Sequence, residues 1–510
     1  MSPPVEHATV CIIGSGFAGI AAAAKLREAG INDIVVLERA HAVGGTWRDN
    51  TYPGCACDIP SHLYSLSFAL KPDWTHTYAR QPEIRAYLED TTTQLGLRRH
   101  LRFGADIEQC RFDRGTGRWT IAATDGRRWI ARFLIAGVGG LRDPHIPALP
   151  GLGSFQGQSW HSARWDDSVD LAGKRVAVVG TGASAIQIVP AIAGTAEEVH
   201  VFQRTPPWIV PRRDRTYTSL ERSLFRAMPV LMRTLRAGIF WRNDLRYSLA
   251  FERDGVFARG LERLLRWSIG REVSDPELAE RLTPTYSPGC KRILISSDWY
   301  PALQRDDVHV HDGGAQALHP EGIEAASGEV IPVDVLLWCT GFRVDDPLGT
   351  LAVTGPDGQD LRAFWGTRPR AHLGVTTPGF PNAFLLLGPN TALGHNSVVV
   401  MIEAQVGYAV QAIRHTMSRG ESTWLDVRPE RLEAFVDEVD RKLEGQVWQS
   451  GCRSWYLNEA GENFTIWPGS AGSYARRMRN FNADDHNLGG TQPEGNDASA
   501  TTEAASSSVS

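Results

Sequence analysis

Two glycine-rich turns, Gly14-Ser15-Gly16-Phe17-Ala18-Gly19 and Gly180-Thr181-Gly182-Ala183-Ser184-Ala185, are the stretches of this sequence best placed to do chemistry. Each follows an apolar run (residues 10–13 and 176–179) and opens a helix-like run, the strand–turn–helix setting in which such turns hold a dinucleotide. Glycine permits the tight turn and lets backbone amides approach a pyrophosphate at a helix N-terminus. A charged residue closes each unit at the same spacing, Glu38 counted from Gly14 and Arg204 counted from Gly180. The two charges are opposite. Glu38 is placed to hydrogen-bond the diol of a ribose. Arg204, followed by Thr205, stands where a carboxylate would repel a 2′-phosphate and offers it a bidentate cation instead. One unphosphorylated and one 2′-phosphorylated dinucleotide are most simply FAD and NADPH.

The elements that must position these turns are βαβ units. Residues 34–37 supply the second strand of the first unit, and alternating segments follow at 118–122 and 129–135. Residues 139–160, rich in Gly and Pro, read as a linker, and a second unit begins at Lys174. The expected fold is α/β, with two Rossmann-like dinucleotide-binding domains and a helical insertion. The spans expected are 1–150 plus 380–484 for the FAD domain and 151–379 for the NADP domain, with the insertion at about 215–280. A polar tail over 485–510 is expected to be disordered. In the insertion Leu224, Phe225, Met228, Leu231, Met232, Leu235 and Ile239 recur at helical spacing among several arginines. Such a stripe is expected to be core packed on the NADP domain, with a lid or a lipid-surface helix (Arg233 and Arg236 at its edge) as secondary readings.

Bulk properties exclude several function classes. At 510 residues the chain needs two or three cores. Its 42% hydrophobic and 22% charged content is that of a soluble globular protein, and a net charge of −5 argues against a nucleic-acid partner. No basic-then-apolar leader opens the sequence and no apolar stretch is long enough to span a bilayer, so a cytoplasmic location is expected. Seven scattered cysteines read as reduced thiols, and no Cys/His cluster has zinc spacing, so no metal is expected.

Two longer strings narrow the reading. Residues 44–58 run Gly-Gly-Thr-Trp-Arg-Asp-Asn-Thr-Tyr-Pro-Gly-Cys-Ala-Cys-Asp, and residues 155–166 run Phe-Gln-Gly-Gln-Ser-Trp-His-Ser-Ala-Arg-Trp-Asp. With these strings the chain resembles the type I Baeyer–Villiger monooxygenases from about residue 8 to about 480. They fit the family signatures G-G-x-W-x(4)-[FY]-P-G-x(3)-D and F-x-G-x(3)-H-x(3)-W-[PD] at every fixed position. The resemblance implies that NADPH reduces FAD and that a C4a-peroxyflavin formed with O2 converts a ketone to an ester or lactone. It implies Arg292 and Asp58 as the catalytic pair, the arginine stabilising the peroxide and the aspartate holding it, with Lys291 contacting NADP. It places Gly45, Thr46, Trp47, Tyr64 and Arg39 on the flavin side, Gln187 on the NADP side and Trp455 near the nicotinamide. His161 becomes a structural element in the inter-domain linker rather than a general base.

Rival classes leave testable marks. Disulfide reductases carry a redox cysteine where Trp47 stands here, and Cys55-Ala56-Cys57 has poor dithiol spacing. Flavin monooxygenases that oxidise nitrogen or sulfur share both turns, but the Trp165-Asp166 ending favours the Baeyer–Villiger side. A non-catalytic nucleotide-binding module is disfavoured by Lys291-Arg292 and the intact second string. The Arg48-Asp49-Asn50 segment and Cys339 ahead of Thr340-Gly341 depart from the family's usual residues, which bears on ketone scope rather than on reaction class.

Overall fold

The computed structural model describes residues 5–250, 255–452 and 454–490. Its first sheet is built around the strand Glu6–Ile13, which pairs in parallel with Ile34–Leu37 on one side and Arg128–Ala136 on the other. All four residues of Ile34–Leu37 are buried, as a parallel strand covered on both faces requires. The helix Phe17–Glu28 buries Phe17 through Ala23 and Leu26 because it is sandwiched between this sheet and the long helix Val398–Met417. An antiparallel meander, Ile107–Asp113, Arg118–Ala123 and Arg128–Ala136, extends the sheet. The strand Ala383–Leu385 then pairs with the far half of Arg128–Ala136.

The second sheet is wholly parallel. Its order is Val308–Asp312, Glu198–Gln203, Arg175–Val179, Val335–Trp338 and Gln158–His161. Each glycine turn leaves the carboxyl end of an inner strand of its sheet, where open α/β sheets bind ligands.

Four expectations change on contact with the fold. The strand Ala352–Thr354 pairs with Ile107–Asp113, and the nearby helix Leu361–Trp365 packs into the same core, so the first unit resumes well before residue 380. The disordered tail expected over 485–510 is contradicted at its start, because His486–Gly489 pairs antiparallel with Trp424–Val427; residues 491–510 lie outside the described residues. His161 ends an edge strand of the second sheet rather than sitting in a linker.

The insertion folds as helices Ser219–Ala227, Pro229–Ala250 and Val256–Glu272. The core expectation holds for Met232 and Ile239, which are buried, and in part for Phe225 and Leu235. It fails for Leu224, Met228 and Leu231, which are exposed. A single layer of helices buries one stripe, and these three residues fall outside it.

Candidate active site

Backbone packing explains two glycines of the first turn. Gly14 has φ +97°, and a Cβ there would lie 2.5 Å from the Gly137 carbonyl oxygen; one on Gly19 would collide with the Gly14 carbonyl. Gly16 serves differently. It faces Gly45, whose added Cβ would stand 3.1 Å from the Gly16 Cα, so the two glycines keep side chains off the backbone at the N-terminus of Phe17–Glu28, where amides can meet a pyrophosphate. The residues fit FAD on that ground.

Glu38 is buried and fixes the loop. Oε2 accepts from the Ser15 amide at 2.9 Å and the Ser15 hydroxyl at 2.7 Å, and Oε1 accepts from the Ala40 amide at 3.0 Å. Arg48 donates to the same Oε1 at 2.9 Å and is itself held by Asp49. Sequence reasoning singled out Arg48 only as a departure from the family, because one variable position inside a signature carries no sign of its partner. Arg39 faces Asp143 at 3.6 Å.

The second turn is wider. Gly180 has φ +109° and packs against the Cys339 carbonyl, whereas a Cβ on Gly182 would meet nothing within 4 Å. Ala185, buried, replaces the third glycine, and the helix begins only there. The Thr181 hydroxyl closes the turn by donating to the Thr205 carbonyl at 2.9 Å. Beside it stand Arg204, exposed, and Lys291. Burial and the charge of Arg204 push the Lys291 ammonium below the ordinary lysine range. Among the described residues neither cation has a carboxylate partner; Lys291 lies 4.8 Å over the Tyr286 ring. Two adjacent cations left unneutralised fit the 2′-phosphate of NADP.

Gln187 turns away from the second turn and clasps the first unit. Its Nε2 donates to the Ala56 carbonyl at 3.1 Å, while Oε1 accepts from the Ala56 amide at 3.2 Å and the Tyr52 hydroxyl at 3.3 Å. A Cβ on Gly54 (φ +79°) would lie 2.5 Å from the Gln187 carbonyl oxygen, which explains the glycine at that point. Gln187, expected at the cofactor, fixes the seam between the units.

Asp58 and Arg292 meet across that seam. Arg292 donates to Asp58 Oδ2 through Nε at 2.8 Å and Nη2 at 2.5 Å, and to the Leu393 carbonyl through Nη1 at 3.3 Å. The Asp58 carboxylate raises the guanidinium pKa further, against the opposing effect of burial. Tyr456 is buried beside Arg292, and desolvation pushes its phenol up. Trp455 is 43% exposed with its ring 4.4 Å from that of Tyr456. Within the first unit the Tyr64 hydroxyl accepts from Trp47 Nε1 at 3.0 Å, and Phe17 meets Tyr64 edge-on at 5.1 Å. Thr46 opens the one-turn helix that carries Trp47.

The reduced-thiol expectation is overturned at one pair. Cys290 and Cys452 form a disulfide, Cα–Cα 6.3 Å, tying the segment of Arg292 to that of Trp455 and Tyr456. The partners are 162 residues apart, so no local spacing announces them. Cys55 and Cys57 are free and buried; desolvation moves the Cys55 thiol to about 11 and raises that of Cys57, which removes the thiolate a dithiol reductase needs. His161 accepts from the Ala163 amide at 3.1 Å, and burial lowers it to about 4, so the ring is neutral and structural.

Comparison with known proteins follows the same lines. A family model for flavin-binding monooxygenase-like proteins matches residues 7–236. The chain is 43% identical to a Baeyer–Villiger monooxygenase of Streptomyces coelicolor over 95% of its own length and 93% of the relative's. It is 42% identical to one from Pseudomonas aeruginosa, over 95% and 92%. Among solved structures, an oxidized steroid monooxygenase bound to NADP superposes with TM-score 0.83 at 30% identity, covering 92% of this chain and 97% of that one. A closed cyclohexanone monooxygenase does so with TM-score 0.86 at 26% identity, covering 96% and 100%.

Proposed function

Because the chain belongs to the Baeyer–Villiger monooxygenases, we propose that Arg292 is the fixed cation of its oxygenation centre and that Asp58 positions it. The chain is an FAD- and NADPH-dependent flavoprotein monooxygenase that converts a ketone, with O2, to an ester or lactone. When bound, FAD reduced by NADPH supplies the oxygen-activating chemistry.

The residues of the chain divide the remaining work. The bare backbone at Gly16 and Gly45 holds a pyrophosphate, and Glu38, anchored by Ser15 and Arg48, shapes the adjoining loop around the ribose. Arg204 and Lys291 take the 2′-phosphate, so that binding relieves their mutual repulsion. Trp47, Tyr64 and Phe17 wall the flavin side with apolar surface and exclude water. With FAD bound, Arg292 would supply permanent positive charge to stabilise negative charge developing in the reaction, and a guanidinium keeps that charge in a poorly hydrated site where a lysine would lose it. Asp58 holds the guanidinium by two donors, so little reorganisation is needed when the charge appears.

The observation that carries this reading is the Asp58–Arg292 pair itself, joining the first unit's signature to the segment that also bears Lys291. Its functional test is a ketone panel of alicyclic and steroid members, the classes named for the solved neighbours. Ketone-dependent NADPH loss with one oxygen added to the product supports it. NADPH oxidation that yields only hydrogen peroxide with every ketone counts against it.

A further inference from the structure

The insertion presents to solvent a surface that the nucleotide chemistry does not use. On the helix Pro229–Ala250, Met232, Ile239, Asn243 and Asp244 face inward. The outward side carries Val230, Trp241 and Leu245, the last two 61% and 65% exposed. These three recur at whole-turn spacing and form one stripe. The exposed Arg233 and Arg242 border it on opposite sides. The helix Val256–Glu272 packs against this one and repeats the pattern. Phe257, Leu264 and Trp267 stand on a single exposed face, with Arg271 stacked 5.4 Å from the Trp267 ring.

Large aromatic side chains exposed in two adjacent stripes are not ordinary surface noise. The charge around them selects the partner. Residues 219–272 hold eleven arginines against six carboxylates, a net +5 in a chain whose total is −5. Among the described residues, Arg226, Arg233, Arg242, Arg259, Arg263, Arg266 and Arg271 are exposed, whereas none of the insertion's carboxylates is. Glu221 and Glu262 are spent on Arg215 and Arg266, and Asp244 is buried. A second copy of the chain would set arginines against arginines across a two-fold axis. An anionic bilayer answers both features, taking tryptophan, leucine and phenylalanine at the acyl boundary and pairing the flanking arginines with lipid phosphates.

We propose that the insertion docks the enzyme flat on an anionic lipid surface, through Trp241, Leu245, Phe257, Leu264 and Trp267 with the bordering arginines. No helix among the described residues is long and apolar enough to cross a membrane, so the contact is interfacial. Arg236, weighed as a lipid contact on sequence alone, is not part of it. Its guanidinium donates to the carbonyls of His62, Leu63 and Ser65 at 2.9, 3.0 and 2.9 Å and pins the helix to the first unit. An open cleft of about 290 Å³ between residues 67–72 and the insertion, lined by Phe68, Leu70, Phe225 and Met232, adjoins the docking helices.

The test is flotation of the FAD-loaded enzyme with phosphatidylglycerol–phosphatidylcholine vesicles and with phosphatidylcholine alone. The wild type floats with the anionic vesicles and is released by salt. The double variant Trp241→Ser/Trp267→Ser loses partitioning by about tenfold or more, and Arg233→Glu/Arg242→Glu loses it on anionic vesicles. Both variants keep vesicle-free NADPH oxidation, which shows that they fold. Absence of wild-type flotation at low salt, or equal flotation of the tryptophan variant, overturns the proposal. So does sedimentation showing a wild-type dimer that the tryptophan variant dissolves, since the face would then belong to a second copy.

Discussion

Asp58 and Arg292 are joined at 2.8 Å across the seam between the two nucleotide-binding units. The carboxylate ends the signature that wraps the first unit, and the arginine follows Lys291 in the segment that serves the second. One ion pair therefore registers the first unit against the second and fixes where the Arg292 charge sits. Asp58→Asn keeps a hydrogen-bond acceptor but removes the charge that holds the guanidinium. The variant is expected to bind FAD, to lose about 1–3 kcal/mol of stability because the pair is mostly buried, its side chains 26% and 32% exposed, and to lower the yield of ester per NADPH consumed. Coupling efficiency measured as ester against peroxide checks this; wild-type coupling would assign Asp58 a purely structural role.

Arg204 and Lys291 carry the prediction for cofactor choice. Arg204→Glu should raise the KM for NADPH by about 10- to 100-fold, the worth of one or two charge-assisted contacts, while leaving NADH turnover near its original level. The pH dependence follows from Lys291, whose ammonium is pushed down by burial and by Arg204. A lowered pKa means the proton leaves at lower pH than from an exposed lysine. Hence kcat/KM for NADPH should begin to fall earlier on the alkaline side, and Lys291→Arg should remove that limb. Identical profiles for wild type and Lys291→Arg would contradict the assignment.

The Cys290–Cys452 disulfide predicts a thiol count and a stability change. Denatured, unreduced protein should titrate five thiols and reduced protein seven. Cys290→Ser/Cys452→Ser should lower stability by about 2–4 kcal/mol, the usual worth of closing a long loop. Seven thiols without reductant would remove the bridge from the account.

Buried histidines set an acid limit. His62, His161 and His486 are lowered to about 4 chiefly by desolvation. The unfolded chain binds these protons near pH 6.5 and the folded protein only near 4, so their contribution is complete above pH 6.5 and is lost as pH falls toward 4. Asp426, lifted to about 7 by burial, and Glu403, also raised by burial, work in the opposite sense, but His311 is lowered to about 4 as well and His100, His200, His372 and His415 are lowered in the same direction, so the histidines prevail. Tm should therefore decline between pH 6.5 and 4; a flat Tm across that window would contradict it.

What the sequence could disclose depended on how local the signal was. The glycine turns, Glu38 and Arg204 lie within single βαβ units, where spacing along the chain is spacing in the fold, and both sheets form where the apolar runs predict. Arg292 and Asp58 are far apart in sequence, and only the family signatures joined them. The Gln187 clasp on Ala56, the Arg48–Glu38 pair and the Cys290–Cys452 bridge are tertiary pairings with no periodicity to announce them. The strands Ala352–Thr354 and His486–Gly489 were missed because three or four residues are too few to show a pattern. In the insertion, period alone could not tell a buried stripe from an exposed one, since both recur every turn.

The role proposed for Arg292 is in oxygenation and not in flavin reduction. Rapid mixing of Arg292→Ala, loaded with FAD, against NADPH and then against O2 with a ketone separates the two. Flavin bleaching by NADPH should stay within about twofold of wild type, while ester formation should fall by about 10²–10³, the cost of removing one preorganised charge from the reacting oxygen. Ester formed at the wild-type yield per NADPH would contradict it.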